Sequence, residues 1–154
     1  MKTKTINLTL ALLVFLSFAS WAKSPSIPTK LVQKLNTLYP NARMVEWKEN
    51  HGYEADFIVN NRAGVSMFNE KGELLSSRLS ISVAELPVAV TEEVNQYVEK
   101  GYVINSTVQR WYKSRNFYDV EVKKGTEDYI LRFTTNGRRI AKINKAKQSA
   151  SKLG

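Results

Sequence analysis

The stretch from Tyr53 to Leu75, YEADFIVNNRAGVSMFNEKGELL, returns 65 residues further along the chain as Tyr118 to Ile140, YDVEVKKGTEDYILRFTTNGRRI. At that constant offset Tyr53 falls on Tyr118, Glu54 on Asp119, Asp56 on Glu121, Val65 on Ile130, Phe68 on Phe133, Gly72 on Gly137 and Leu75 on Ile140. A pattern kept at fixed spacing while identities drift marks one building unit used twice. Within each copy the alternation is that of a half-buried strand. Tyr53, Ala55, Phe57 and Val59 point one way and Glu54, Asp56 and Ile58 the other, just as Tyr118, Val120 and Val122 oppose Asp119, Glu121 and Lys123.

The segments around the repeat complete the pattern. A helix is expected from Ile27-Pro28, because proline suits a first helical turn where its missing N–H has no partner anyway. Leu31, Val32, Leu35, Leu38 and Tyr39 form its apolar stripe. Tyr39-Pro40-Asn41 ends it, since the residue before a proline is pushed out of the helical region. Strands are expected over 42–48, 53–59, 64–68 and 74–80, with Gly52 and Gly72 in the turns. Ser82 to Glu85 has capping-box spacing, and Leu86-Pro87 opens a second helix that buries Val90, Val94, Tyr97 and Val98 and stops near Gly101. The two prolines lie 59 residues apart whereas the strands lie 65 apart, which puts six extra residues between the second helix and its sheet, inside EKGYVINSTVQ. Tyr102 to Lys113 is one long strand or two short ones, followed by strands over 118–123, 129–134 and 138–143. Asn136-Gly137 predicts a two-residue type I′ turn. The fold expected is α+β: two tandem units, each one helix followed by three or four antiparallel strands, with the helices on one face. The units span residues 23–81 and 82–144, and 145–154 form a basic disordered tail.

Residues 1–22 read as an export signal, with Lys2 and Lys4 at the start, an apolar run from Leu8 to Phe18, and Ser20-Trp21-Ala22 before a cleavage site at Lys23. The run is 11 residues, short of the roughly 20 that a bilayer needs. A periplasmic or secreted location follows. The chain has no cysteine, which excludes disulfides, thiolate chemistry and cysteine metal sites. Without Lys2 and Lys4 the 23 basic side chains become 21 against 14 acidic, a formal charge of +7 that favours anionic partners.

The order of these elements resembles the beta-lactamase-inhibitor-like, PepSY-like family of exported bacterial proteins. The residues that carry the likeness are Pro28, Trp47, Tyr53 to Phe57, Phe68 and Gly72, echoed by Pro87, Trp111, Tyr118 to Val122, Phe133 and Gly137. The resemblance implies a tandem helix-on-sheet fold, export, no known catalysis, and an open sheet face of the kind with which the inhibitor grips an enzyme. The absence of cysteines departs from that inhibitor, and none of its contact residues is carried over.

Residue by residue, chemistry is sparse. His51 is the single histidine and sits in a turn, without the second histidine or carboxylate cluster that metal or acid–base work requires. Glu54, Asp56, Asp119 and Glu121 share one strand parity and are read as outward residues pairing with Lys or Arg, such as Lys123 and Arg132. Ile58, Val65, Met67 and Ile130 share that parity and make the open face partly apolar. Trp111 lies seven residues before Tyr118 whereas Trp47 lies six before Tyr53, so strict alternation puts Tyr112 in the core position of Trp47 and Trp111 on the open face, while a bulge returns Trp111 to the core. The C-terminal segment carries Arg138, Arg139, Lys142, Lys145, Lys147 and Lys152 with no acidic residue. The expectation is an exported, non-enzymatic binding module without a cofactor. It holds an envelope protein or peptide on the open face through Trp111, Glu54, Asp56, Met67, Asp119 and Glu121, inhibiting or regulating it. The alternative is a basic envelope protein that binds anionic glycolipid or polysaccharide through Arg138, Arg139, Lys142, Lys145 and Lys147. Nucleic acid is not an expected partner, since that tail lacks interleaved aromatics.

Overall fold

The computed structural model describes residues 26–49 and 51–145. Helix α1 (Thr29–Leu38) leads into strands β1 (Arg43–Glu49), β2 (Tyr53–Val59), β3 (Arg62–Phe68) and β4 (Leu74–Ser80). A single 3-10 turn (Val83–Glu85) and helix α2 (Val88–Glu99) precede β5 (Val103–Tyr112), β6 (Arg115–Lys124), β7 (Glu127–Thr134) and β8 (Arg139–Asn144). The export segment lies outside the described residues, as does the tail beyond Lys145.

The expected architecture of two tandem helix-plus-strand units is corrected by the sheet. All eight strands form one antiparallel sheet in the order β1 to β8. Its middle is the pairing of β4 with β5, where Ser76 faces Tyr112, Ser77 faces Trp111, Arg78 faces Arg110 and Leu79 faces Gln109. Separate units would each leave an unpaired row of backbone N–H and C=O groups at this edge, which β4 and β5 satisfy on each other.

Two cores form under the helices. Leu31 and Leu35 of α1 pack on Ala55, Phe57, Val59 and Phe68. Leu86, Val90, Val94 and Tyr97, on and just before α2, pack on Val120, Val122, Leu131 and Phe133. Each fully buried side chain of this size contributes about 1.5–3 kcal/mol. The helices share one face of the sheet. The cross-strand row Ala55–Ser66–Ser77–Trp111 leads from the first core to the strand parity of Thr107, which faces Val120 in the second. Val98 is 43 % exposed and leaves the core set, because Val90, Val94 and Tyr97 already define the buried stripe one step round the helix.

The six extra residues lengthen a hairpin. β5 and β6 have 10 residues each where β1 and β2 have 7, and Lys113-Ser114, both at positive φ, join them. Lys113-Ser114 and Asn60-Asn61 carry the paired positive φ of type I′ turns, whereas at Asn136-Gly137 only Gly137 (φ 81°) is left-handed. There Gly137 donates to Thr134 O at 3.1 Å and Thr134 N donates to Arg138 O at 3.0 Å, a longer loop closed by a bulge. Its counterpart at Gly72 has the same form, with Gly72 N to Asn69 O at 2.9 Å. The capping box forms as expected: the Ser82 backbone N–H and hydroxyl both donate to Glu85 Oε2 at 2.9 Å.

Candidate functional site

No described element covers the sheet face opposite the helices. Cross-strand rows organise it. One runs Asp56–Val65–Arg78–Arg110–Phe117, a second Glu54–Met67–Ser76–Tyr112–Arg115, and a third Val108–Asp119–Arg132. The alternation that places them is the one visible in YEADF and YDVEV.

Each of the four carboxylates displayed by that alternation is neutralised within the chain. Lys48 pairs with Asp56 and lies 3.5 Å from Glu54. Asp119, only 7 % exposed, accepts from Arg132 Nε at 2.7 Å and Nη2 at 2.9 Å, and from Arg110 Nη1 at 3.2 Å. The two-pronged contact matches the planar guanidinium to the carboxylate and raises the pKa of Arg132 still further. Glu121 accepts from Lys145 Nζ at 2.7 Å, Asn105 Nδ2 at 2.8 Å and Ser106 Oγ at 3.1 Å. Of the two bases expected to pair with these carboxylates, Arg132 does so; Lys123 makes no ion pair among the described residues, and Lys145 takes Glu121. Sequence reasoning missed Lys145 in this role because 24 residues separate the pair.

The hydrogen bond from Lys145, helped by Asn105 and Ser106 against the cost of burial, holds the Glu121 carboxyl below its ordinary 4.5. A depressed carboxylate stabilises the fold above the unfolded-state pKa and loses that contribution as pH falls through the folded value. The stability of the wild type in chemical denaturation is therefore expected to fall from about pH 4.5 downward more steeply than that of Glu121→Gln. Equal slopes would show that Glu121 is not the titrating group.

Apart from Glu46, exposed opposite Asp56, what remains displayed is apolar and basic. Met67 is 45 % exposed and Tyr112 48 %. Ile58, Val65 and Ile130 are half-buried at the same parity. Arg78 and Arg115 are exposed and join no ion pair among the described residues. A depression of about 150 Å³ lies at the centre, where Met67 meets Arg78 and Arg110.

Trp111 is not on this face. It shares the helix side with Thr107 and Gln109 and pairs with Ser77 and Asn116, while Tyr112 takes the open side. Thr107 opposite Val120 holds the place that Trp47 holds opposite Ala55. The inversion comes from the loops: β1 stops at Glu49 and β2 starts at Tyr53, but only Lys113-Ser114 separate β5 from β6.

The basic C-terminal segment divides between faces. Lys145 belongs to the open side with Glu121 and Asp128. Arg139 donates to the Tyr97 hydroxyl and lies over that ring at 5.7 Å, and Lys142 stands 3.9 Å from the Tyr129 ring centre. Arg138 is exposed beside the turn, and Lys147 lies outside the described residues. Lys100 and Lys124 join Arg139 and Lys142 around Tyr97, Tyr102 and Tyr129. Tyr102 donates to Glu127, which pushes its hydroxyl up to about 12.

His51 is exposed in its turn at positive φ. Among the described residues no group of three or more His, Asp or Glu could hold a metal.

Solved structures share this fold of one open antiparallel sheet with two helices on a single face. A BLIP-like protein from Bacteroides fragilis superposes with a TM-score of 0.65 at 24 % identity, covering 77 % of this chain and 86 % of its own. A DUF2874 family protein from Bacteroides uniformis gives 0.66 at 23 %, covering 77 % and 89 %. A protein assigned provisionally to the periplasm of Bacteroides eggerthii gives 0.67 at 20 %, covering 78 % and 90 %. At these identities the likeness is one of fold. No protein-family model matches the sequence, and no curated protein shows significant similarity to it.

Proposed function

We propose that this protein is an exported, non-enzymatic binding module that holds an envelope protein against the open sheet face and so regulates or inhibits it. The observation that carries this reading is the division of labour on that face. Glu54, Asp56, Asp119 and Glu121 are already paired, while Met67, Tyr112, Arg78 and Arg115 remain displayed. Methionine, tyrosine and arginine are the residue types enriched at binding surfaces. The partner complementary to them offers an apolar knob for the Met67 depression and a carboxylate for Arg78. Of the carboxylates that the alternation displays, Asp119 braces Arg110 and Arg132, while the others hold lysines. Residues 1–22 serve as the export signal. The fold shared with a BLIP-like protein, and with one assigned provisionally to the periplasm, supports the same reading.

The double variant Met67→Ala/Arg78→Glu tests it. An envelope protein retained by the wild type at physiological salt is expected to lose roughly 100-fold in affinity, measured by calorimetry with the captured protein. Equal affinity would refute the open-face assignment. Retention that disappears in salt yet survives the double variant would instead favour a polyanion held by Lys100, Lys124, Arg139 and Lys142.

A further inference from the structure

We infer that the cleft over the β4–β5 seam at the C-terminal end of α1, on the side of the sheet away from the proposed docking surface, binds a small uncharged molecule with a flat ring body and a hydrogen-bonding edge. The cleft has a volume of about 310 Å³, at the lower end of the range typical of small-molecule sites. It exists because each helix covers the strands of its own half and leaves the β4–β5 seam bare, and because Ser66 and Ser77 put small side chains in the row beneath. The lengthened β5–β6 hairpin raises Trp111 and Asn116 as one wall, Leu74 and Leu79 form another, and Leu38 and Tyr39 close the end of α1.

Its chemistry selects the class of ligand. No charged side chain lines the cleft, although the chain as a whole carries +9. Bringing an ion there would cost its hydration without a counter-charge. A wholly apolar guest would leave several polar groups unanswered. Ser77 is 8 % exposed, and the Tyr39 hydroxyl donates to its Oγ at 2.9 Å, a pair whose oxygens keep lone pairs for a ligand's donor. Gln109, Trp111 and Asn116 line the same space, the first two half-buried and Asn116 exposed at the rim. Ser66, the cross-strand neighbour of Ser77, is buried, and its Oγ has no hydrogen-bond partner among the described residues. A polar side chain as buried as Ser77 is normally fully satisfied, and a ligand with an N–H or O–H at its edge would complete its hydrogen bonding. The Trp111 ring supplies an aromatic wall for a flat body.

N-Phenyl-1-naphthylamine, a neutral arylamine that fluoresces in apolar surroundings, is the probe. Its emission is expected to rise saturably with one site per chain. The expected loss is at least about tenfold in affinity in each of Asn116→Trp and Leu38→Trp, two plugs at exposed positions on the rim, with far-UV circular dichroism unchanged. The anionic analogue 8-anilinonaphthalene-1-sulfonate should bind at least about tenfold more weakly. Met67→Ala/Arg78→Glu should leave probe binding as it is, which keeps this test separate from that of the open face. No saturable enhancement, unchanged affinity in both plugged variants, or equal affinity for the anion would overturn the assignment.

Discussion

Replacing Asp119 by alanine is expected to lower stability by about 3 kcal/mol, seen as a fall of roughly 10 °C in Tm. Asp119 is the most buried carboxylate of the open face and the shared partner of Arg132 and Arg110. Removing it leaves two guanidinium groups side by side with nothing to offset their repulsion or the partial desolvation of Arg132. Glu54→Ala makes the comparison, since Glu54 has only an exposed lysine 3.5 Å away and such pairs contribute little; no measurable change in Tm is expected there. Equal effects of the two substitutions in thermal denaturation would show that burial and the two-pronged geometry do not decide the outcome. The same substitution frees Arg110 and Arg132 to move, so any partner bound through the flat arginine row should dissociate faster from Asp119→Ala than from the wild type.

Gly137→Ala should cost about 2–4 kcal/mol. At φ 81° an L side chain is strained, and a Cβ there would meet the backbone oxygen of Ala89 at 2.5 Å and its carbonyl carbon at 2.8 Å. The β7–β8 turn is thus pressed against the first turn of α2, and it is the glycine that permits the approach. Gly125→Ala separates the two causes: its φ is 57° but nothing lies within 4 Å of the added carbon. It should therefore show the backbone term alone, roughly 1–2 kcal/mol. Urea unfolding of both variants measures the difference, and a Gly137→Ala no worse than Gly125→Ala would sink the steric account.

The in–out code of Tyr53 to Val59 and Tyr118 to Lys123 was legible because a strand's period of two is a local property of the backbone. So were Leu31 and Leu35 of the α1 stripe, whose Val32 and Leu38 turn out exposed, the Ser82–Glu85 capping box and the Asp119–Arg132 pair, whose strands are joined by a short hairpin. The face of Trp111 was not legible, because it depends on a loop shorter by one residue. The pairing of Glu121 with Lys145 was not, because β8 must first return alongside β7 and carry Lys145 past its end. Asn136-Gly137 misled for a related reason: two neighbouring residues do not fix the loop length when a register shift follows at Arg132 and Phe133.

The sequence by itself determined which residues alternate and where the helices run, since both follow from neighbours within a few residues. Only the tertiary structure decided that β4 and β5 pair within one continuous sheet, and that β5 and β6 run longer than β1 and β2. It also decided that Trp111 therefore stands over a bare seam rather than on the open face. Those outcomes depend on which strand edge meets which, a matter of backbone hydrogen bonds between segments far apart in the chain, and no local pattern encodes it.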